Sequence, residues 1–78
     1  MEESELVLRL KDRDKNAMAY LYDKYSAALL GVASRIIKDD DISEEVLQDV
    51  FMKIWNKIDQ YDASRGRFFT WMMNLTRN

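Results

Sequence analysis

The sequence contains no cysteine and no histidine among its 78 residues. Without cysteine there is no disulfide and no thiolate metal site, and without either residue a zinc site and the usual nucleophile–base pairs are excluded. An enzyme that uses carboxylates stays conceivable, but a chain this short leaves little room for a pocket. The composition therefore predicts a protein that is not an enzyme and holds no cofactor.

Long apolar runs are also missing. No stretch approaches the roughly 20 residues that a transmembrane helix needs. The chain starts with MEESE, which is not the basic and then apolar pattern of a secretory signal. These absences predict no membrane span and favour the cytoplasm. A length of 78 residues predicts one domain with a small but workable core.

The formal net charge of −2 conceals an uneven distribution along the chain. Residues 39–49 carry six acids and no base, whereas residues 63–78 carry Arg65, Arg67 and Arg77 and no acid. An acidic segment and a basic segment in one small domain suggest two different partners.

The central stretch covers residues 41–58, which read DISEEVLQDVFMKIWNKI without glycine or proline. Asp41 is the predicted N-cap of a helix, and Glu44 is placed to close a capping box. On a helical wheel of about 100° per residue, one side is apolar and predicts a core stripe. The stripe comprises Leu47, Val50, Phe51, Ile54 and Ile58, with Val46 at its edge.

The opposite side of this helix combines large apolar side chains with acids and amides. It carries Glu45, Gln48, Asp49, Met52, Trp55 and Asn56. A solvated face does not need Met52 and Trp55 three residues apart, so the pattern favours a docking surface. The alternative is that Met52 and Trp55 pack under a neighbouring helix.

Two more helices are predicted before this stretch. Residues 4–11 form a short amphipathic segment with Ser4 as its cap, and residues 15–38 form one long helix capped by Asp14. The long helix is apolar on two sides, which predicts neighbours on both. Its main stripe comprises Met18, Leu21, Tyr22, Tyr25, Leu29, Val32 and Ile36. Gly31 within it predicts a close approach of a second helix.

The rest of the chain is predicted to be a loop over residues 59–67 and a helix over residues 68–78. Phe68 and Trp71 are interpreted as core residues of that last helix. The predicted fold class is all-α: a small bundle of three main helices plus a short N-terminal helix. No stop signal follows the last helix, so we expect one domain, residues 1–78, cut from a longer protein.

Three motifs occur in this order along most of the chain. They are AYLYDKYSAALLGVASRII at residues 19–37, SEEVLQDVFMKIW at residues 43–55 and YDASRGRFFTWMMNLTRN at residues 61–78. Together they resemble region 2 of a bacterial RNA polymerase sigma factor of the extracytoplasmic-function (ECF) group, within the sigma-70 family. The resemblance implies a helical domain that acts in transcription initiation by joining core RNA polymerase to promoter DNA.

The resemblance also implies site residues. The face that binds the clamp helices of the beta-prime subunit corresponds to Glu45, Gln48, Asp49, Met52, Trp55 and Asn56. The residues that contact the non-template strand of the minus-ten element correspond to Tyr61, Ser64, Arg65, Gly66, Arg67, Asn74, Arg77 and Asn78. In this family an anti-sigma factor often covers the polymerase-binding face. The family continues with more basic helix and a second DNA-binding domain, and this sequence departs from it there.

The chemistry of these residues agrees with the implied DNA role. Arginines neutralise phosphates, aromatic rings accept unstacked bases, and an asparagine amide reads a base edge. A second function stays open from the residues alone, namely a helical protein–protein module that docks a partner helix through Met52 and Trp55 and binds no DNA.

Overall fold

The computed structural model describes residues 1–77; the side chain of Arg77 and all of Asn78 lie outside the described part. Over this range the chain forms α1 (Glu3–Lys11), α2 (Lys15–Ile37), α3 (Asp40–Lys57), a 3-10 turn (Ile58–Gln60) and α4 (Phe68–Arg77). No strand occurs in residues 1–77, and the predicted all-α class is confirmed. Within the same residues, no helix is long and apolar enough to cross a membrane.

Local capping by an aspartate side chain is seen at the starts of α2 and α3. The carboxylate of Asp14 accepts a hydrogen bond from the Asn16 N–H at 2.9 Å, which confirms it as the cap of α2. The predicted caps of α1 and α3 are wrong. Glu2 precedes α1 without a side-chain cap, and Ser4 lies inside that helix.

The cap of α3 is Asp39, whose carboxylate accepts from the Ile42 N–H at 3.1 Å. The predicted capping box of Asp41 and Glu44 therefore does not start the helix. In a run of three aspartates any one satisfies the chemistry of a cap. Lys38, which ends α2 in the left-handed conformation at φ 59°, directly precedes Asp39.

The apolar stripe of α3 lies in the core, as the wheel predicts. Leu47, Val50, Phe51, Ile54 and Ile58 are each at most 5% exposed, and Val46 at the edge is half-buried. α3 packs against both α2 and α4. Since only two residues join α2 to α3, these packed neighbours run in opposite directions.

The long helix α2 is less buried than its stripe predicts. Leu21 and Leu29 are fully buried, but Tyr22 is 47% exposed and Ile36 is 57% exposed. A Cβ added to Gly31 would meet nothing within 4 Å, so the predicted close helix approach at Gly31 is wrong. The apolar surface of α2 is simply wider than the area that its neighbours cover.

The two ends of the fold complete the core. α1 buries Leu6, Val7 and Leu10 and packs against α2 and the 3-10 turn. α4 buries Phe68 and Met72, which confirms Phe68 as a core residue, whereas Trp71 is half-buried.

We predict that Leu47→Ala or Ile54→Ala lowers the free energy of unfolding by about 2–5 kcal/mol, because each removes a buried aliphatic side chain and leaves a cavity. Urea melts measure the change. Met52→Ala is the matched control on the same helix; Met52 is 60% exposed, and its truncation should cost within about 0.5 kcal/mol. Equal costs at Ile54 and Met52 would contradict the assignment of the two faces of α3.

Candidate functional site

The outward side of α3 is a mixed acidic and apolar surface, which we name the α3 face (Glu45, Gln48, Asp49, Met52, Trp55 and Asn56). All but Trp55 are exposed, and Met52 is 60% exposed. The packing alternative is therefore wrong for Met52, and it holds only in part for Trp55, which is half-buried. A large exposed thioether beside a partly exposed indole is the composition of a contact surface.

A groove of about 420 Å³ runs between the α3 face and α2. Met52 and Trp55 form one wall, and Met18, Ala19 and Tyr22, together with Lys15, form the other. The Tyr22 ring also contacts the buried Phe51, with the ring centroids 4.9 Å apart. The sequence did not predict that these residues of α2 line a groove, because their spacing is also that of a core stripe. Only their exposure distinguishes a groove wall from a core stripe.

The charges on the α3 face are arranged along the helix. Asp49 pairs with Lys53 one turn later at 3.2 Å. Such an exposed pair contributes little to stability, since water screens it. Glu45, one turn before Asp49, adds a second carboxylate at the surface. The α3 face is therefore apolar in its groove and acidic towards the start of the helix.

The second surface starts at the segment that we name the basic loop (residues 61–67). Tyr61 is 4% exposed, and its hydroxyl donates to the Gly66 carbonyl at 2.8 Å. The Asp62 carboxylate accepts from both the backbone N–H and the hydroxyl of Ser64, at 2.9 and 2.7 Å. The Arg65 N–H donates to the Asp62 carbonyl at 3.0 Å. The loop thus has a defined backbone, although most of its side chains are exposed.

A cleft of about 270 Å³ lies between the basic loop and α4. It is lined by Gln60, Tyr61, Asp62, Arg65, Gly66, Arg67, Thr70, Trp71 and Asn74. The lining therefore combines two guanidinium groups, two amides and a half-buried indole. This set provides charge for a phosphate, a ring for stacking and groups that can read a hydrogen-bonding edge.

The cleft brings together five of the residues predicted to contact DNA: Tyr61, Arg65, Gly66, Arg67 and Asn74. Ser64 is exposed but does not line it; the side chain of Arg77 and all of Asn78 lie outside the described residues. Tyr61 reaches the cleft only with a small part of its buried ring. Its observed role is to hold the loop.

Four lining residues were missed by the sequence reasoning: Gln60, Asp62, Thr70 and Trp71. Trp71 was interpreted as core, and it does contact Tyr61 and Phe68 at centroid distances of 5.5 and 6.1 Å. It nonetheless stays half-exposed at the cleft. The spacing of an amphipathic helix does not distinguish a buried ring from one at the edge.

Two pKa shifts describe the electrostatics of the basic loop. Hydrogen bonds from the hydroxyl and then the N–H of Ser64 lower the pKa of the Asp62 carboxyl from its ordinary value. Burial, followed by the charges of Glu3 and Asp62, raises the pKa of the Tyr61 hydroxyl. At neutral pH Asp62 is ionised and Tyr61 is a neutral donor, which is what their observed hydrogen bonds require. Arg65 has only a weak partner in Asp62, 3.9 Å away, and its side chain is 87% exposed.

Comparison with known proteins identifies the family. The model of the Sigma-70 region 2 family matches residues 21–78. The chain belongs to the Sigma-70 region 2 family. The matched residues include the α3 face and the cleft, whereas α1 precedes them. The family and group inferred from the three motifs are confirmed.

The curated relatives of this Sigma-70 region 2 chain carry the name of the ECF group. The chain is 34% identical over 70 residues to the ECF RNA polymerase sigma factor SigK of Mycolicibacterium vanbaalenii. It is 31% identical to the protein of that name from Mycobacterium sp. strain KMS and 26% identical to that from Mycobacterium bovis. Each alignment covers 90% of this chain but only 36–37% of the relative. No solved structure matches the chain significantly.

The shift at Asp62 gives a prediction on pH dependence. The pKa of Asp62 is lowered in the folded protein, so its ionised carboxylate stabilises the basic loop at any pH above the ordinary pKa of 3.8. This contribution is lost as the pH falls through the lowered pKa. Ser64→Ala removes the hydroxyl donor, so the pKa of Asp62 should rise towards 3.8. An NMR titration of the Asp62 carboxyl measures this.

Ser34→Ala, a change of the same kind on α2, should leave the pKa of Asp62 where it is. If Ser64→Ala and Ser34→Ala gave the same Asp62 titration, the hydrogen bonds of Ser64 would not be the cause of the shift.

Proposed function

We propose that this domain acts in the cytoplasm as part of a transcription initiation factor that binds core RNA polymerase and promoter DNA. The α3 face docks the clamp helices of the beta-prime subunit. The cleft and the basic loop take the non-template strand of the minus-ten element during promoter recognition and melting. The observation that carries this proposal is the cleft, where arginines, an indole and amides converge.

The polymerase contact is supported by the shape and composition of the α3 face. Met52 and Trp55 border the apolar groove of about 420 Å³, and Gln48 lines a second groove of about 370 Å³ between the same two helices. Residues at the centre of such a patch usually carry most of the binding free energy. The acidic start of α3 favours a partner with basic side chains at that end. An anti-sigma factor that covers this face would compete with polymerase.

The DNA contact is supported by the size and lining of the cleft. Single-stranded DNA binds where a basic surface follows the backbone and aromatic rings accept bases. Arg65 and Arg67 are exposed at the rim, Trp71 offers a partly exposed ring, and Asn74 lies one helical turn after Thr70 on the same side of α4. An extruded base costs a few kcal/mol to unstack, so a preformed cleft lowers the cost of holding it.

The alternative function is a helical protein–protein module without DNA binding. The exposed Met52 and the apolar groove agree with it equally well. It does not account for the cleft between the basic loop and α4, where two arginines border a ring and amides. Binding to single-stranded DNA, measured beside binding to a clamp-helix fragment, distinguishes the two functions.

We predict that Met52→Ala, Gln48→Ala and Trp55→Ala weaken binding to a beta-prime clamp-helix fragment, with losses of about 2 kcal/mol at the centre of the patch. The matched control is Leu8→Ala on α1, because Leu8 is 66% exposed and Met52 is 60% exposed. Isothermal titration calorimetry measures binding, and thermal melts confirm that the fold is retained. A clamp-helix affinity that Leu8→Ala reduces as much as Met52→Ala would contradict the docking surface.

We predict that Arg65→Ala and Arg67→Ala weaken binding to all single-stranded sequences and reduce the slope of log K against log salt by about 0.7 per lost phosphate contact. Asn74→Ala should instead relax the preference for one base with little change in slope, because an amide reads edges. Asn78→Ala is expected to act in the same way. The measurement is fluorescence anisotropy with minus-ten oligonucleotides of varied sequence.

Arg35→Ala serves as the control, since Arg35 is an exposed arginine in the last turn of α2. It should change neither quantity. If the arginine and asparagine variants shared one salt slope and one base preference, the assigned division of roles would be wrong. If none of them reduced DNA binding, the protein–protein function would replace the proposed one.

A further inference from the structure

The turn between α1 and α2 contains an unusual residue at a position that favours glycine. The Asp14 N–H bonds to the Arg9 carbonyl at 2.9 Å, and the Arg13 N–H bonds to the Leu10 carbonyl at 3.0 Å. These two bonds define a Schellman motif, whose left-handed residue is usually glycine. Here that residue is Arg13, at φ 59°. A side chain with a Cβ is disfavoured in this conformation, so glycine at this position would relieve backbone strain.

The guanidinium of Arg13 makes contacts with three parts of the chain. One of its nitrogens, Nη1, donates to the carbonyls of Leu10 and Lys11, at 3.2 and 3.3 Å. The other, Nη2, donates to the Asp59 carboxylate at 3.0 Å. Its Cζ atom lies 5.8 Å from the centroid of the Trp55 ring. Arg13 thus joins the end of α1, the 3-10 turn after α3 and the α3 face.

A second cation from the same turn reaches the same segment. The Lys11 Nζ donates to the Tyr61 carbonyl at 3.0 Å, across 50 positions of sequence. Asp59 and Tyr61 lie directly before the exposed part of the basic loop. The turn between α1 and α2 therefore holds the start of the basic loop at two points, the Asp59 carboxylate and the Tyr61 carbonyl.

The strength of this arrangement comes from its combination of contacts. The ion pair with Asp59 alone is a weak contribution, because the Asp59 side chain is 67% exposed. The planar guanidinium, however, is held by two backbone carbonyls that do not move independently of α1, and it lies over the Trp55 ring within cation–π distance at the same time. Because the end of α1 fixes the guanidinium of Arg13, the guanidinium can orient the Asp59 carboxylate and the Trp55 ring.

We propose that Arg13 is a positioning residue, which fixes the Trp55 ring on the α3 face and the entry of the basic loop in one arrangement. This inference rests on the proposed function, which assigns polymerase to the α3 face and DNA to the basic loop. Arg13 itself lies outside the cleft lining and touches neither the loop arginines nor Asn74 among the described contacts. It therefore acts on DNA binding only through the position of Asp59 and the residues that follow.

The decisive variant is Arg13→Gly, which relieves the left-handed backbone while removing the guanidinium. If Arg13 were only a turn residue, glycine would be the better residue and the variant would bind DNA normally. Under the proposal, affinity for a minus-ten oligonucleotide falls about tenfold, the scale of one charge-assisted hydrogen bond. The fall leaves the salt slope unchanged, because Arg13 touches no phosphate, whereas Arg65→Ala reduces the slope.

Lys38→Gly provides the matched control. Lys38 is the second residue other than glycine with positive φ in residues 1–77, also at 59°. Its side chain is exposed at the other end of α2. Lys38→Gly should leave DNA affinity unchanged and, by relieving the same backbone strain, should not lower the melting temperature.

Two further measurements test the positions of the neighbours. In a Trp71→Phe background the emission belongs to Trp55, and Arg13→Gly should shift it whereas Lys38→Gly should not. Asp59→Asn, which changes an exposed residue and cannot unfold the core, should weaken DNA binding in the same direction as Arg13→Gly. The two changes combined should weaken binding by less than the product of their separate factors.

The outcomes separate this inference from the function on which it rests. If Arg13→Gly and Asp59→Asn bound DNA normally while Arg65→Ala bound it more weakly, only the positioning role of Arg13 would be overturned. A reduced salt slope for Arg13→Gly would also overturn it, because that result would make Arg13 a direct phosphate contact. If all three variants, Arg65→Ala included, bound DNA as tightly as the unchanged protein, the proposed DNA function would be overturned instead.

Discussion

The burial of one side of α3 is the constraint on which the rest of the structure depends. Its five stripe residues are at most 5% exposed and pack between α2 and α4. In a helix of 3.6 residues per turn, burying these positions forces the intervening ones outward. Met52 and Trp55 are therefore presented to solvent by the same packing that makes the core. The α3 face is therefore carried by a helix that packs against a neighbour on each of two sides.

The basic loop depends on a second packing feature, a small aromatic cluster at the end of the core. The buried Tyr61 ring lies 5.2 Å from Phe68 and 5.5 Å from Trp71, measured between centroids. Its hydroxyl closes the loop on the Gly66 carbonyl. A polar loop would otherwise be mobile, since it buries almost no apolar surface of its own. The buried ring at its start lets Arg65 and Arg67 stay exposed while their backbone is fixed.

The two surfaces share one connection, the turn between α1 and α2. Its cations reach the groups at the start of the basic loop, and the guanidinium of Arg13 lies over Trp55. The N-terminal helix is short and precedes the residues that match the family. Its structural role is nonetheless specific: it covers the core with Leu6 and Leu10 and supports the segment that joins α3 to the cleft.

Much of this fold could be predicted from the amino-acid sequence. Hydrophobic periodicity gave the four helices to within a few residues, identified which side of α3 is buried and marked the exposed Met52, because helix geometry relates spacing directly to direction. The three motifs predicted the family and five of the nine residues that line the cleft. What the sequence could not give were choices between equivalent residues and the extent of burial. Asp39, Asp40 and Asp41 have the same capping chemistry, and only the path of the chain selects Asp39.

The tertiary structure alone decided which apolar residues lie at an edge. Tyr22 and Met18 share the spacing of the core, yet they line a groove because α3 covers them only in part. Tyr61 has the sequence context of an exposed loop, yet it is buried because Phe68 and Trp71 fold back upon it. The contact of Arg13 with Asp59 spans 46 positions, and no local pattern encodes it. Periodicity reports the direction of a side chain from its own helix, and only the packed neighbours determine what it meets there.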